Sequence, residues 1–330
     1  MRMILAGLLV LGAVPAAEAA SFNCDRASTP VEKAICSNPE LSRRDEVLAK
    51  AYATALGGLS DEAKTAVQAG QRAWLDYAGL ACTTDAKPFS APLTEDQQAC
   101  LGTVYRARID DLAQSRMQGD WRFYPVTRYD LVDDPDPDAY QGVATKEISS
   151  PRIDDDSGTA ATFNQLMDGA DDRARPDPQS EDYRTSDTTE STVVDGVNTH
   201  RISLKTTSYW MGHGAAHGNY AITYAHYLTD EERLLEAADL FTGEGWETAL
   251  GQLALAELDR TVEGGIWDES RADVPGLTAD PSRWRLTDAG LEIVFQPYEV
   301  TAYAAGAPTV TIGWDKLAAY LSENYSELLY

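Results

Sequence analysis

The sequence predicts a multidomain α and α+β protein: a small disulfide-stapled helical bundle followed by an α+β domain with a mixed or antiparallel sheet. Three observations predict it. Apolar residues recur at helical spacing behind capping signals between residues 21 and 118. Beyond Thr199 they alternate with small or polar residues at the strand period. All four cysteines, Cys24, Cys36, Cys82 and Cys100, fall in the first of these regions. A length of 330 residues accommodates two domains, and a hydrophobic share of 43% is enough to bury a core.

The first element, residues 1–20, reads as a signal peptide. Arg2 is followed by the eleven-residue apolar run Ile4 to Val14, then Pro15 and small residues. Ala17-Glu18-Ala19 offers an A-x-A site, so cleavage is expected after Ala19 or Ala20. The run is shorter than the ~20 residues a membrane helix needs. No Cys follows it directly, which argues against a lipid anchor. The expectation is a soluble protein, periplasmic or secreted, with no membrane insertion.

Residues 21–118 follow as four helices. Thr29-Pro30-Val31-Glu32 is a capping box with Pro at the first helical position, and this helix stops near Asn38-Pro39. A second runs from Glu40 to Leu56 with Leu41, Leu48, Tyr52 and Ala55 near one stripe, ending at Gly57-Gly58. Ser60 caps a third, Asp61 to Leu80, with Val67, Trp74 and Tyr77 inward. Thr94 and Gln97 open a fourth through Leu101, Val104, Tyr105, Ile109 and Leu112, closing before Gly119. An exported chain with four cysteines favours two disulfides. Of the three connectivities, Cys24–Cys36 and Cys82–Cys100 are preferred, because each pair flanks a local turn. Steps of twelve and eighteen residues do not resemble a zinc knuckle.

From Gly119 the texture changes, and residues 119–330 form the second domain. Its first part, 119–198, mixes short strand-like pieces (Arg122 to Tyr129, Ala144 to Ile148) with loops at Asp133 to Asp138 and Arg173 to Thr189. Its core, 199–330, opens with the alternation of Tyr220, Ile222, Tyr224, His226 and Leu228. Helices are expected at Trp246 to Arg260 and Trp314 to Ser322. Leu291, Ile293 and Phe295 alternate again, and Thr309 to Ile312 is a last short strand.

Charge narrows the partners. With 27 basic and 53 acidic side chains the formal net charge is −26. Nucleic acid is excluded as the main partner, because phosphate binding needs Lys and Arg to displace counterions. An anionic membrane surface is disfavoured on the same ground. The bundle carries 11 basic and 13 acidic residues, a balance of −2, whereas 119–330 carries 15 and 39, or −24. Simple solubility or salt adaptation is the blander reading of this acidity.

Nothing in the sequence compels catalysis. His200, His213, His217 and His226 are the four histidines. His213 and His217 stand four apart in Gly212-His213-Gly214-Ala215-Ala216-His217-Gly218, but three glycines within seven residues argue for a turn between strands. No Glu follows His213, so the zinc-protease pattern is missing. There is no G-x-S-x-G, no free Cys once both disulfides form, and no phosphate-binding loop beyond a lone Gly243-x-Gly245. Catalytic residues, metal and cofactors are each read as none.

The N-terminal motif resembles the LprI-type lysozyme-inhibitor family of small secreted helical domains. Ser21-Phe22-Asn23-Cys24-Asp25 and Thr29-Pro30-Val31-Glu32-Lys33-Ala34-Ile35-Cys36 carry the resemblance. It continues through Pro39-Glu40-Leu41, Tyr52, Gln71-Arg72-Ala73-Trp74-Leu75, Cys82, Cys100-Leu101, Tyr105 and Arg108-Ile109. Asp76-Tyr77 departs from it, where the family has a basic residue before the third Cys.

The second half looks like the lysozyme-binding domain of RsiV-type anti-sigma factors, which also accompanies some peptidoglycan deacetylases. Its carriers are Ala215-Ala216-His217-Gly218-Asn219, Asp239-Leu240-Phe241, Gln296-Pro297-Tyr298-Glu299-Val300 and Tyr303-Ala304-Ala305-Gly306. Lys146-Glu147-Ile148 through Phe163-Asn164 resembles the preceding segment of those proteins. Ala215 stands where that family has a second Gly, and Ala302 where it has Pro before the second Tyr. RsiV-type proteins signal through a cytoplasmic domain and a membrane helix; with neither read in this sequence, soluble capture rather than signalling is the expectation.

Together the resemblances imply an exported binding protein that captures lysozyme or a related cationic muramidase and blocks its cleft. The expected partner-binding residues are Tyr209, Trp210, His217, Tyr298 and Tyr303. Aromatic residues beside strands serve cores as readily as interfaces. Trp74 and Tyr105 lie on the apolar stripe of the bundle and are expected in its core. The alternatives are a peptidoglycan hydrolase or deacetylase accessory protein, and a structural envelope protein without lysozyme binding. The sequence leaves the oligomeric state open.

Overall fold

Capping chemistry starts each N-terminal helix. In the computed structural model, which describes residues 20–136 and 142–329, Thr29 and Glu32 form the reciprocal capping box that opens α1 (Pro30–Ser37). Asn38 accepts from the backbone of Glu40 and Leu41 to open α2 (Pro39–Ala55). Ser60 caps α3 (Asp61–Ala78), and Thr94 with Gln97 boxes α4 (Glu95–Leu112). The signal-peptide reading of the leader lies outside the described residues. Disulfides join Cys24 to Cys36 and Cys82 to Cys100, the pairing that the local turns favoured. By constraining the unfolded chain, each stabilises the bundle by about 2–4 kcal/mol. The bundle core closes on Val67, Leu101, Leu112 and Trp74, whose ring meets Tyr105 edge-on at 5.0 Å.

The sheet begins before Gly119. Strand β1 (Arg116–Gln118) pairs with β2 (Trp121–Asp133), and β2 with β3 (Val143–Ile153), both antiparallel. Helix α5 (Gly158–Ala174) then crosses over, and α6 (Glu181–Arg184) leads into β4 (Ser186–Val197). That crossover makes β3 and β4 the parallel pair of a mixed sheet. Strands β5 (Arg201–Gly212), β6 (Asn219–Leu228) and β7 (Arg233–Leu234) add antiparallel, giving a seven-stranded sheet in sequence order. The division at 198/199 falls between β4 and β5, which pair along most of their lengths.

A C-terminal layer stacks on one end of the sheet. It holds α7 (Ala237–Leu240), α8 (Trp246–Thr261), α9 (Val274–Thr278), β8 (Trp284–Thr287), β9 (Gly290–Val294), β10 (Thr309–Ile312) and α10 (Trp314–Leu317). Its three strands form a separate antiparallel sheet around a core that includes Trp284, Leu291, Ile293 and Phe295.

Three expectations are corrected here. Residues 173–189, read as a loop, contain the end of α5, all of α6 and the start of β4. Helix α5, which the reading missed, is capped by Ser157 and buries Phe163 and Met167, one turn apart. The terminal helix stops at Leu317 rather than Ser322. Beyond it Ser322 N donates to Leu240 O, and Leu321 bridges to Phe241, so the chain leaves the helix to pair with the end of α7.

Ion pairs and hydrogen bonds dock these layers. On one sheet face Arg152, 4% exposed, reaches Asp168 and Asp171 of α5 at 2.7 Å each. His226 of β6 joins Ser203 Oγ at 2.9 Å and the carbonyl of Trp284 at 2.8 Å, tying the sheet to the C-terminal layer. Burial, reinforced by Arg201, pushes that imidazole down to about 3, so it is neutral at physiological pH. The opposite end of the sheet meets the bundle through a polar seam. Arg108, 2% exposed, donates to Asp111 at 2.5 Å, to Thr127 at 3.2 Å and to Gln71 at 3.1 Å. Asp111 also accepts from Thr127 and Ser149, and Tyr77 stacks on Tyr129 at 4.8 Å.

Glu147 sits half-buried beside this seam. Burial, then the charge of Asp111, pushes its carboxyl up to about 7 from the ordinary 4.5, against the opposing pull of Arg108. The folded state therefore holds a proton that the unfolded chain releases, and this group's contribution to stability falls as pH rises from 4.5 to 7. Glu147→Gln, which mimics the protonated form, is expected to raise stability by about 1–2 kcal/mol near pH 8 and to change little near pH 4. Urea denaturation at the two pH values measures this.

Candidate functional site

Three glycines shape the turn between β5 and β6. Gly214 adopts φ +78°, which a side chain would resist, and Ala215 N closes back onto Gly212 O at 3.0 Å. At Gly218 a Cβ would collide with the hydroxyl of Tyr209, so only glycine lets that ring lie against the turn. His213, its side chain 4% exposed, anchors the turn from below. Its Nδ1 bonds Asp134, and its Nε2 lies 3.6 Å from Asp187. His217 rises on the other side, with Nδ1 2.8 Å from Gly218 O. A carbonyl only accepts, so Nδ1 carries a proton, and Nε2 faces Tyr298 Oη at 3.4 Å. The two histidines diverge. Among the described residues no group of three His, Cys, Asp or Glu is arranged to hold a metal.

The loop after β9 comes to meet this turn, and three side chains set its position. The Gln296 amide accepts from Ile222 N at 2.8 Å and donates to Ile222 O at 2.7 Å, pairing with the edge of β6 as a strand residue would. Glu299 accepts from Gln296 N at 2.8 Å while gripping both terminal nitrogens of Arg283 at 2.7 Å. Val300 is fully buried beneath the loop. Above this base Tyr298 takes φ +67°, an uncommon conformation for a bulky residue that costs on the order of 1–2 kcal/mol, and is 49% exposed.

Tyr303 is the centre of the resulting cluster. Its hydroxyl donates to Gly218 O at 2.9 Å. Its ring stacks on His217 at 4.4 Å, meets Tyr298 at 5.3 Å and takes Tyr220 edge-on at 6.2 Å. Tyr209, 40% exposed, extends the surface as the cross-strand neighbour of Tyr220. Four of the five residues expected from the sequence, Tyr209, His217, Tyr298 and Tyr303, are thus brought together. Trp210 is not. Strand alternation turns it to the opposite face, where its ring covers Gly212 and stays 43% exposed.

Sequence reasoning missed Tyr220 as a site residue, since alternation explained it fully as a strand residue. It also assigned no role to Gln296 or Arg283. Trp267, 37% exposed, joins the same loop through its backbone N–H, which donates to Val300 O at 2.9 Å, and no spacing signal pointed to it. The arrangement offers stacked rings with hydroxyl and imidazole edges at their rim. Such a surface suits contact with a partner, or with the apolar face of a sugar.

No curated protein matches the chain. Two solved structures of DUF3298 family proteins are among those the chain matches. One, from Pseudomonas aeruginosa PAO1, is 14% identical, covers 62% of this chain and 96% of its own, and gives a TM-score of 0.46. The other, from Bacteroides fragilis NCTC 9343, is 16% identical, covers 63% and 96%, and gives 0.46. The match within the second half is to DUF3298, whose function is unknown, and Tyr298 and Tyr303 lie inside it while the β5–β6 hairpin lies before it. The chain is therefore similar over residues 24–112 to the family described as lysozyme inhibitor LprI, and over residues 238–315 to the family described as protein of unknown function DUF3298.

Proposed function

We propose that the protein is an exported binding protein that captures lysozyme or a related cationic muramidase and inhibits it by blocking its sugar-binding cleft. The observation that carries this reading is the match of residues 24–112 to the lysozyme inhibitor LprI family. The aromatic surface of Tyr209, His217, Tyr298 and Tyr303 supports it, because exposed rings held on a braced loop suit insertion into a cleft. The second half acts, in this reading, as RsiV-type lysozyme-binding domains do. The two disulfides and the inhibitor-family match point to an extracytoplasmic location. Among the described residues no helix is long and apolar enough to cross a membrane. Cleavage after Ala19 or Ala20 would release the mature chain into the periplasm or medium.

Mixing the mature protein with a c-type lysozyme should slow lysis of a bacterial suspension at stoichiometric ratios. Lysis at the uninhibited rate, with no complex on a sizing column, would remove the inhibitor reading. The charge of −24 on the second half adds a kinetic expectation. Association should slow at least tenfold between low salt and roughly 1 M, where the Debye length is about 3 Å. Stopped-flow measurement checks it, and a salt-independent rate would remove steering from the account.

A further inference from the structure

The sheet face that carries Tyr209 is covered at both sides and open between them. Register fixes which side chains share it. One row runs Thr127, Ser149, Ser191, Thr207 and Ile222 across β2 to β6. The next runs Tyr129, Glu147, Thr189, Tyr209 and Tyr220. The bundle covers the β2–β3 end of both rows through Arg108, Asp111 and Tyr77. The C-terminal layer covers the β6 end, where Gln296 clamps Ile222 and Tyr303 meets Tyr220. In the middle Thr189 and Tyr209 are exposed and Ser191 and Thr207 half-buried. A cavity of about 230 Å³ opens there, between Ala107 and Asp110 of α4, Gln114 just beyond it, and Glu147, Thr189 and Ser191 of the sheet.

The gap from β3 to β6 is three inter-strand spacings, about 14 Å, which admits one protruding loop of a partner rather than a whole domain face. On its β5 side stands Tyr209, the cross-strand neighbour of Thr189. Its charge is negative: Asp110 stands exposed on the α4 wall, and the surrounding half carries −24. Lys205 opposes this further along β5, beside Val193. An anionic glycan would be repelled, whereas a basic loop would find the Asp110 carboxylate on its flank and would itself favour ionisation of Glu147 at its base.

We propose that this trough is where a basic loop of the captured protein docks, so that α4 of the helical bundle and β4–β5 of the sheet grip one partner together. The inference rests on the capture reading and adds to it a second contact region, away from the Tyr298–Tyr303 loop, to which both units contribute.

The test uses the full mature chain and a c-type lysozyme, with affinity read by surface-immobilised binding. Thr189→Arg puts a cation on the exposed floor, and Asp110→Lys reverses the wall. Each is expected to weaken binding at least tenfold with an unchanged thermal melt. Should Thr189→Arg disturb the sheet, Asp110→Asn on the exposed helix face is expected to cost at least threefold. If wild type binds and the folded variants bind equally well, the trough is not the docking surface, and the capture reading stands without it. If wild type does not bind lysozyme, the capture reading fails and this inference fails with it. Retention of wild type on purified peptidoglycan, lost in the same variants while lysozyme binding persists, would assign the trough to a glycan and overturn the proposal.

Discussion

Replacing Tyr298 and Tyr303 together with Ala is expected to weaken lysozyme binding at least a hundredfold while leaving the fold intact. Aromatic anchors at the centre of an interface each contribute about 2 kcal/mol or more, and each 1.4 kcal/mol is a factor of ten. Tyr298 is 49% exposed and held at φ +67°, so its ring contributes little to the core. Tyr303 does more. It holds Gly218 O through its hydroxyl and His217 through its ring face. Tyr303→Phe separates these roles, because it keeps the stack and removes the bond at 2.9 Å. It should cost no more than about tenfold. Titration calorimetry on the single and double variants gives the comparison. Equal affinity for wild type and the double variant would move the contact away from this loop.

Arg108→Ala is expected to be the most destabilising single change in the seam between bundle and sheet. The guanidinium is 2% exposed and bonds Asp111, Thr127 and Gln71. Removing it leaves the Asp111 carboxylate, 7% exposed, buried beside the raised carboxyl of Glu147. Breaking one partner of a buried pair costs about 3–5 kcal/mol, which lowers the melting temperature by roughly 10 °C. Arg72→Ala, on the exposed face of α3, should shift it by about 1 °C or less. Double replacement of Arg108 and Asp111 by apolar residues should recover part of the loss, since no charge is then stranded.

The bundle was legible because its signals are local. Thr29, Ser60 and Thr94 each satisfy donors three residues on, and both disulfides close short loops. Helix α5 and strand β4 were not, because what holds them is remote in sequence. Arg152 of β3 grips α5, and the Thr-rich β4 is fixed by its two neighbouring strands rather than by its own pattern. The same distinction divides the site. His217, Tyr298 and Tyr303 were named from motifs, and Tyr209 as an aromatic residue near them. Their convergence depends on Gln296 clamping Ile222, 74 residues away, and no spacing rule conveys that. Trp210 was named beside Tyr209, yet adjacent strand residues face opposite ways, and pairing the two overlooked the period of two. The edge of the bundle was set at Gly119, whereas β1 already pairs within the sheet, so helices and strands share one seam.

The proposed capture of lysozyme rests on the match of residues 24–112 to the lysozyme inhibitor LprI family. Its most direct test is calorimetric titration of a c-type lysozyme into the mature chain, with and without a chito-oligosaccharide filling the lysozyme cleft. The account predicts a saturable one-to-one complex whose affinity falls at least tenfold when the sugar is present. Absence of binding at micromolar concentrations would contradict capture, and a complex indifferent to the sugar would contradict blockade of the cleft.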